Sequence, residues 1–139
     1  KRGWGGTLGS VETLAKYRFQ RVLEDLAAAK EMLSGGMYKP SLNRSYYSIF
    51  HAMRAITVLE GFDCSKHSGV IAYFNQNFIK TGIFAKETSK IIKSASIMKE
   101  QSDYLDFFIA SKQDAEEQIE RAKQFIEAVE KYLKDKKVL

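Results

Sequence analysis

One cysteine (Cys64), one proline (Pro40) and two histidines (His51 and His67) stand in a chain of 139 residues. A lone cysteine excludes an internal disulfide and a thiolate-built structural zinc site, so the fold needs no oxidising compartment. Nothing around Cys64 in sequence marks it as a nucleophile, and it reads as inert. No apolar run approaches the length of a membrane span and no signal-peptide pattern is present, so a cytoplasmic protein with no membrane partner is expected. There is no glycine-rich phosphate loop. No His/Asp/Glu cluster has ligand spacing, so no metal site and no cofactor are expected. Period-two alternation is nowhere sustained, which argues against a sheet.

What remains is rich in Ala, Leu, Ile, Glu and Lys, the residues of stable helices. Apolar residues make up 45% and charged residues 28%, the balance of a globular chain rather than a disordered one. Residues 1–10, KRGWGGTLGS, are glycine-rich and are expected to be a flexible lead-in or a non-native remnant. Residues 11–139 are expected to form a single domain.

Five helices are predicted. The first covers residues 11–33, with Ser10 as its cap, Ala15, Phe19, Val22, Leu26, Ala29 and Leu33 on one stripe, and Ser34-Gly35-Gly36 as its stop. The second starts near Pro40, which a first helical turn tolerates, and runs to Gly61. A third of about four turns carries Val70, Tyr73, Phe74 and Phe78. The fourth, from about Lys86, carries Ile91, Ala95, Met98, Leu105 and Ile109. Ser111-Lys112-Gln113-Asp114 has capping-box form and opens the fifth, striped by Ala115, Ile119, Ala122, Ile126, Val129 and Leu133. Short connections imply antiparallel neighbours, so the expected fold is an all-α, up-and-down helical bundle.

Charge is unevenly spread. Residues 1–99 hold 15 Lys/Arg against 7 Asp/Glu, whereas residues 100–139 hold 7 against 10. A basic body suits an anionic ligand such as RNA or a nucleotide, although a lysine-rich solvated surface gives the same balance.

The second helix concentrates the chemistry. At about 100° per residue, Leu42, Tyr46, Ile49, Met53 and Ile56 form one core seam. Arg44 and His51, almost two turns apart, project from roughly the opposite side, with Tyr47 between them and Asn43 and Arg54 beside them. Arginine is a permanently charged fork for phosphate oxygens. Histidine takes and gives protons near neutral pH. Tyrosine offers a stacking surface for a base. On spacing alone, an Arg and a His on an outer face are more often simple surface residues. The apolar neighbours Phe50, Ala55 and Val58 nevertheless predict that something covers this face, either the loop before the third helix or a second subunit.

At NRSYYSIFHAMRAI (43–56), KHSGVIAYFNQNFIKTG (66–82), SDYLDFF (102–108) and ASKQDAEEQIERAKQFIEAVEKYL (110–133) the chain resembles the HEPN superfamily. The likeness is greatest to small stand-alone prokaryotic members and covers about 125 residues. The resemblance implies a helical bundle that dimerises and a metal-independent ribonuclease motif of Arg, four to six residues, then His. Here that motif is Arg44 and His51, with Ser45 as the polar residue after the arginine. It also implies a toxin-like role with a nucleotidyltransferase antitoxin as partner. In some such pairs a tyrosine two positions after the histidine is adenylylated; this chain has Met53 there, so that control does not carry over. Lys99 stands where such relatives often carry Arg, which keeps the charge without the fork.

The mechanism expected from this likeness is removal of a ribose 2′-hydroxyl proton by His51, with Arg44 stabilising the charged phosphate and a 2′,3′-cyclic phosphate as product. Asn43, Ser45, Tyr47, Arg54, Lys66 and His67 are the candidate substrate-binding residues, with Lys99, Asp103 and Tyr104 in support. The acid for the leaving oxygen is either His67, the chain's only other histidine, or a second His51 across a homodimer cleft, and the dimer is the preferred expectation. His67, at the start of the third helix, reads first as a capping or packing residue that could also help hold an anion. Two other classes fit the same residues: a domain that binds RNA or nucleotide without cutting, and an interaction module that docks a nucleotidyltransferase.

Overall fold

The computed structural model describes the backbone from Leu8 to Leu139 and side chains from Val11 onward. Five α-helices follow one another: α1 (Leu8–Ser34), α2 (Tyr38–Thr57), α3 (His67–Phe74), α4 (Glu87–Tyr104) and α5 (Lys112–Asp135). A 3-10 turn (Val58–Glu60) extends α2, and a π-helical turn (Asn75–Ile79) extends α3. Among the described residues there is no strand, and the fold is all-α. The lead-in expected over residues 1–10 lies outside the described residues, except that Leu8, Gly9 and Ser10 already belong to α1. Ser10 therefore sits inside the first helical turn and does not occupy the cap position expected of it.

Local chemistry explains the ends. Gly36 takes a left-handed backbone (φ 77°), and the Gly36 and Met37 amides donate to the carbonyls of Leu33 and Met32. This is the Schellman arrangement, which closes α1 and reverses the chain. Gly61 (φ 82°) repeats it after α2, with Phe62 N–H donating to Thr57 and Gly61 N–H to Val58. Pro40 falls in the first turn of α2, where its missing N–H costs nothing. The predicted capping box is present: Asp114 N–H donates to Ser111 Oγ at 2.9 Å, and Ser111 N–H donates to Asp114 Oδ2 at 3.3 Å.

Helix α2 lies at the centre, packed against α1, α3, α4 and α5. Cross-helix bonds fix the register with α1: Ser41 Oγ donates to the Ala29 carbonyl at 2.8 Å, Arg44 pairs with Asp25, and Arg18 reaches the Arg54 carbonyl at 3.4 Å. As the α2 number rises the α1 number falls, so the two helices are antiparallel. Small residues on α2 (Ser41, Ser45, Ser48, Ala52 and Ala55) are all buried and let neighbouring backbones come close. The predicted seams of α1, α2 and α5 are buried as expected, except that Leu33 at the end of α1 is only half-buried. Farther along, Phe74, Phe78, Phe84 and Phe125 form an aromatic cluster, with ring centroids of Phe74 at 5.1 Å from Phe78 and Phe84 and 5.7 Å from Phe125.

The end of the fourth helix also departs from expectation. Helix α4 ends at Tyr104, so Leu105 and Ile109 are not helical; Leu105 is extended and Ile109 is 85% exposed beside Phe107 at 93%. The physical reason is the turn. Had α4 run to Ile109, only Ala110 would remain to reverse the chain before the Ser111 cap.

Phe74→Ala is expected to destabilise the fold by about 3–5 kcal/mol, because a large buried ring is replaced by a cavity that close packing cannot fill. Denaturant unfolding followed by circular dichroism measures it; a loss under about 1 kcal/mol would show that the cluster repacks freely.

Candidate functional site

Two helical stripes face each other across one groove. From α2 come Arg44, Tyr47, His51 and Arg54; from α1 come Arg18, Arg21 and Asp25, spaced three and four apart. At one end Arg44 Nη1 donates to Asp25 Oδ1 at 3.1 Å. Asp25 is nearly enclosed, with 8% of its side chain exposed, whereas Arg44 is 49% exposed. At the other end Asp63, on the loop before α3, accepts from both Arg54 (2.9 Å) and Arg18 (3.0 Å) through the same oxygen. His51 lies between these two ion-pair clusters, half-buried and stacked on Tyr47 with ring centroids 6.0 Å apart.

A second group adjoins the first. His67 opens α3, rests on Phe50 at 4.1 Å between centroids, and shares a 2.6 Å hydrogen bond between its Nδ1 and the Tyr46 hydroxyl. Lys99 of α4 lies over the Tyr47 ring at 5.3 Å and pairs with Asp103 at 3.0 Å.

Burial and charge set the proton affinities. Burial pushes the His51 imidazole below its ordinary value; Asp25 works against this, and Arg54, Arg21 and Arg18 add to it. His67 is also lowered, by burial first and then by Lys99 and Arg54. Burial, with Tyr47 and Asp103, pushes the Tyr46 phenol up to about 12. Burial opposes the charge on Asp63, yet the hydrogen bonds and charges of Arg54 and Arg18 outweigh it and hold the carboxyl below its usual range. Arg18 is lowered by burial and by its like-charged neighbour Arg54.

The predicted residues divide into three groups. Arg44, Tyr47, His51 and Arg54 share the groove, and Asn43 is half-buried beside them with its Oδ1 unpartnered among the described residues. His67, Lys99 and Asp103 flank it from α3 and α4. Ser45 does not face it: the residue is fully buried, with its hydroxyl enclosed and unpartnered. It sits one position on from Arg44, about 100° round the helix, where α2 meets its neighbours. Lys66 is exposed at the N-cap position of α3, and Tyr104 is 79% exposed at the end of α4. Asp103 bonds Lys99 rather than Arg44. The face read as an outer one borders α1, which was not among the expected covers, and the loop before α3, which was, reaches its end through Asp63. Sequence reading missed Arg18, Arg21, Asp25 and Asp63. The first three share a period-matched stripe of α1, but such a stripe reads as an ordinary solvated face until the partner helix is placed. Among the described residues, no group of three or more His, Cys, Asp and Glu side chains could hold a metal ion. No helix among them is long and apolar enough to cross a membrane.

Residues 15–132 match the model of the HEPN domain. A UPF0332 protein of Thermotoga maritima is 32% identical over 126 residues, covering 91% of this chain and 96% of that protein. Two proteins of Methanocaldococcus jannaschii, named as toxin candidates, are also similar. One is 30% identical over 112 residues (81% of this chain, 83% of its own), and the other is 28% identical over 134 residues (91% of each).

Both histidines are expected to titrate below about 6.5 in an NMR pH titration. Asp25→Asn should move His51 lower still, since the charge that raises it is removed. Because the folded values lie below the unfolded one, protonation favours the unfolded chain. Their contribution to stability is therefore complete above about pH 6.5 and is lost as pH falls through the folded values. An upward shift of His51 in Asp25→Asn would contradict this electrostatic account.

Proposed function

The chain belongs to the HEPN domain family, and on that premise we propose that it is a toxin-like endoribonuclease that cuts RNA without a metal ion. His51 is the general base and Arg44 the group that meets the charge developing on the phosphate. The observation that carries this reading is the juxtaposition of a half-exposed guanidinium with an imidazole whose surroundings favour the neutral form, in one groove. A neutral imidazole can accept the 2′-hydroxyl proton. The Arg44–Asp25 pair aims the fork without enclosing it, leaving donors for phosphate oxygens. Arg54 and Arg18 supply further positive charge along the groove, and the Tyr47 ring offers a base a stacking surface. Cleavage by this route leaves a 2′,3′-cyclic phosphate and a 5′-hydroxyl.

A second copy and a nucleotidyltransferase-type antitoxin are the proposed protein partners, and the cytoplasm the proposed location. The exposed apolar segment of Tyr104, Leu105, Phe107 and Ile109 supports a protein-docking role for that end of the bundle. The M. jannaschii relatives named as toxin candidates support the toxin context.

Purified protein incubated with RNA in EDTA should generate cyclic-phosphate ends, read by mass spectrometry. His51→Ala should lose roughly 10²–10⁴-fold in rate, and Arg44→Ala on the order of 10²-fold or more. RNA bound equally by wild type and His51→Ala, with no cleavage by either, would instead make this a binding domain.

A further inference from the structure

In-line cleavage needs an acid for the departing 5′ oxygen as well as a base for the 2′-hydroxyl. A second His51 brought by another copy is one source, but the fold holds a nearer imidazole. His67 comes from a different helix, yet it rests on the same two rings as His51. Phe50 has its centroid 4.1 Å from His67 and 5.6 Å from His51, and Tyr47 stands 6.1 Å and 6.0 Å from them. The two imidazole centroids can therefore be no farther apart than the 4.1 and 5.6 Å legs laid end to end. Within that bound the two imidazoles are close enough to flank one phosphate, each reaching an oxygen through a hydrogen bond of about 2.6–3.2 Å.

The partner of His67 fits the task. Its Nδ1 is held by the Tyr46 hydroxyl at 2.6 Å, which orients the ring and keeps Nε2 out of that bond. A hydroxyl both donates and accepts. Nδ1–H of the imidazolium donates to the Tyr46 oxygen and still does so once Nε2 has released its proton, so one contact serves both forms of the acid. The phenol is buried and keeps its own proton, so it stays a hydrogen-bonding partner throughout. The charged and titratable groups facing His67 are Tyr46, Tyr47 and Arg54 of α2 and Lys99 of α4. Burial first, and then the two cations, make the imidazolium readier to release its proton, and an arriving phosphate supplies the opposing charge.

We propose that His67 is the general acid of the same protomer, with Tyr46 as its positioning residue; this rests on the RNA-cleavage reading above. His51 takes the 2′-hydroxyl proton as the 2′ oxygen bonds to phosphorus. The bond from phosphorus to the 5′ oxygen breaks, and its electron pair takes the proton of the His67 imidazolium. The products are the cyclic phosphate and a 5′-hydroxyl, and proton exchange with water restores both histidines.

The test compares two substrates of the full chain: a dinucleoside monophosphate, and uridine 3′-(4-nitrophenyl phosphate), whose nitrophenolate leaves without a proton. His67→Ala and His67→Gln should cut the dinucleoside rate by about 10²-fold or more but the nitrophenyl ester rate only a few-fold. His51→Ala should slow both by roughly 10²–10⁴-fold. Tyr46→Phe should follow the His67 pattern with a smaller loss, and should shift the His67 ring resonances. Equal losses on both substrates in folded His67 variants would overturn the proposal, making His67 a packing residue while RNA cleavage stands. If wild type turns over neither substrate, the cleavage reading fails and the acid role goes with it.

Discussion

Burial strips water from the polar groups of α2, and the groove's geometry follows from how those groups find replacements. The helix is packed against four others, and its charged side chains leave along the edge it shares with α1, Arg54 20% exposed and Arg44 49%. An unpaired buried charge is far costlier than a paired one. The enclosed Asp25 on α1 accordingly meets Arg44, and the mostly buried Arg54 meets Asp63 on the loop before α3. These pairings set the α1 register and tie down the loop, and His51 is left between two clusters of opposite influence. The same demand that stabilises the bundle thus shapes the electrostatic setting of the imidazole.

That setting is a balance rather than a single effect. Burial and three arginines favour the neutral ring, and one enclosed carboxylate opposes them. A base must be neutral before it acts and must tolerate charge once it has acted. Asp25 lies where it can offset the imidazolium while also holding Arg44. One carboxylate therefore links the orientation of the fork to the proton affinity of the base.

Much of this was legible beforehand. The stripes of α1, α2 and α5 follow a period that only a helix buries, and Ser111–Asp114 announces the start of α5 in its own side chains. Arg44 and His51 share a side because seven residues are nearly two turns. The missing parts depend on register between elements, which no local pattern encodes. Asp25 is an acid on a mixed face until Ala29 meets Ser41, and Arg18 and Arg21 look like solvated charges until α2 lies alongside. Ser45 shows the reverse error: a position borrowed from a motif points into the core because its angle on the helix differs from that of its neighbour. The end of α4 was missed because periodicity cannot tell an apolar residue that packs from one left exposed in a turn, as Ile109 is.

The tight Gly36 reversal between α1 and α2 has a consequence for how the protein comes to be. Apart from Lys99 and Asp103, the groups that define the groove and its flank lie between Arg18 and His67. Contacts between segments joined by so short a turn close small loops at modest entropic cost, and chains rich in such contacts fold fast. The helical hairpin that carries the chemistry is thus encoded in the first half of the chain. It can take shape while α5, whose contacts with it are the most distant in sequence, is still undocked.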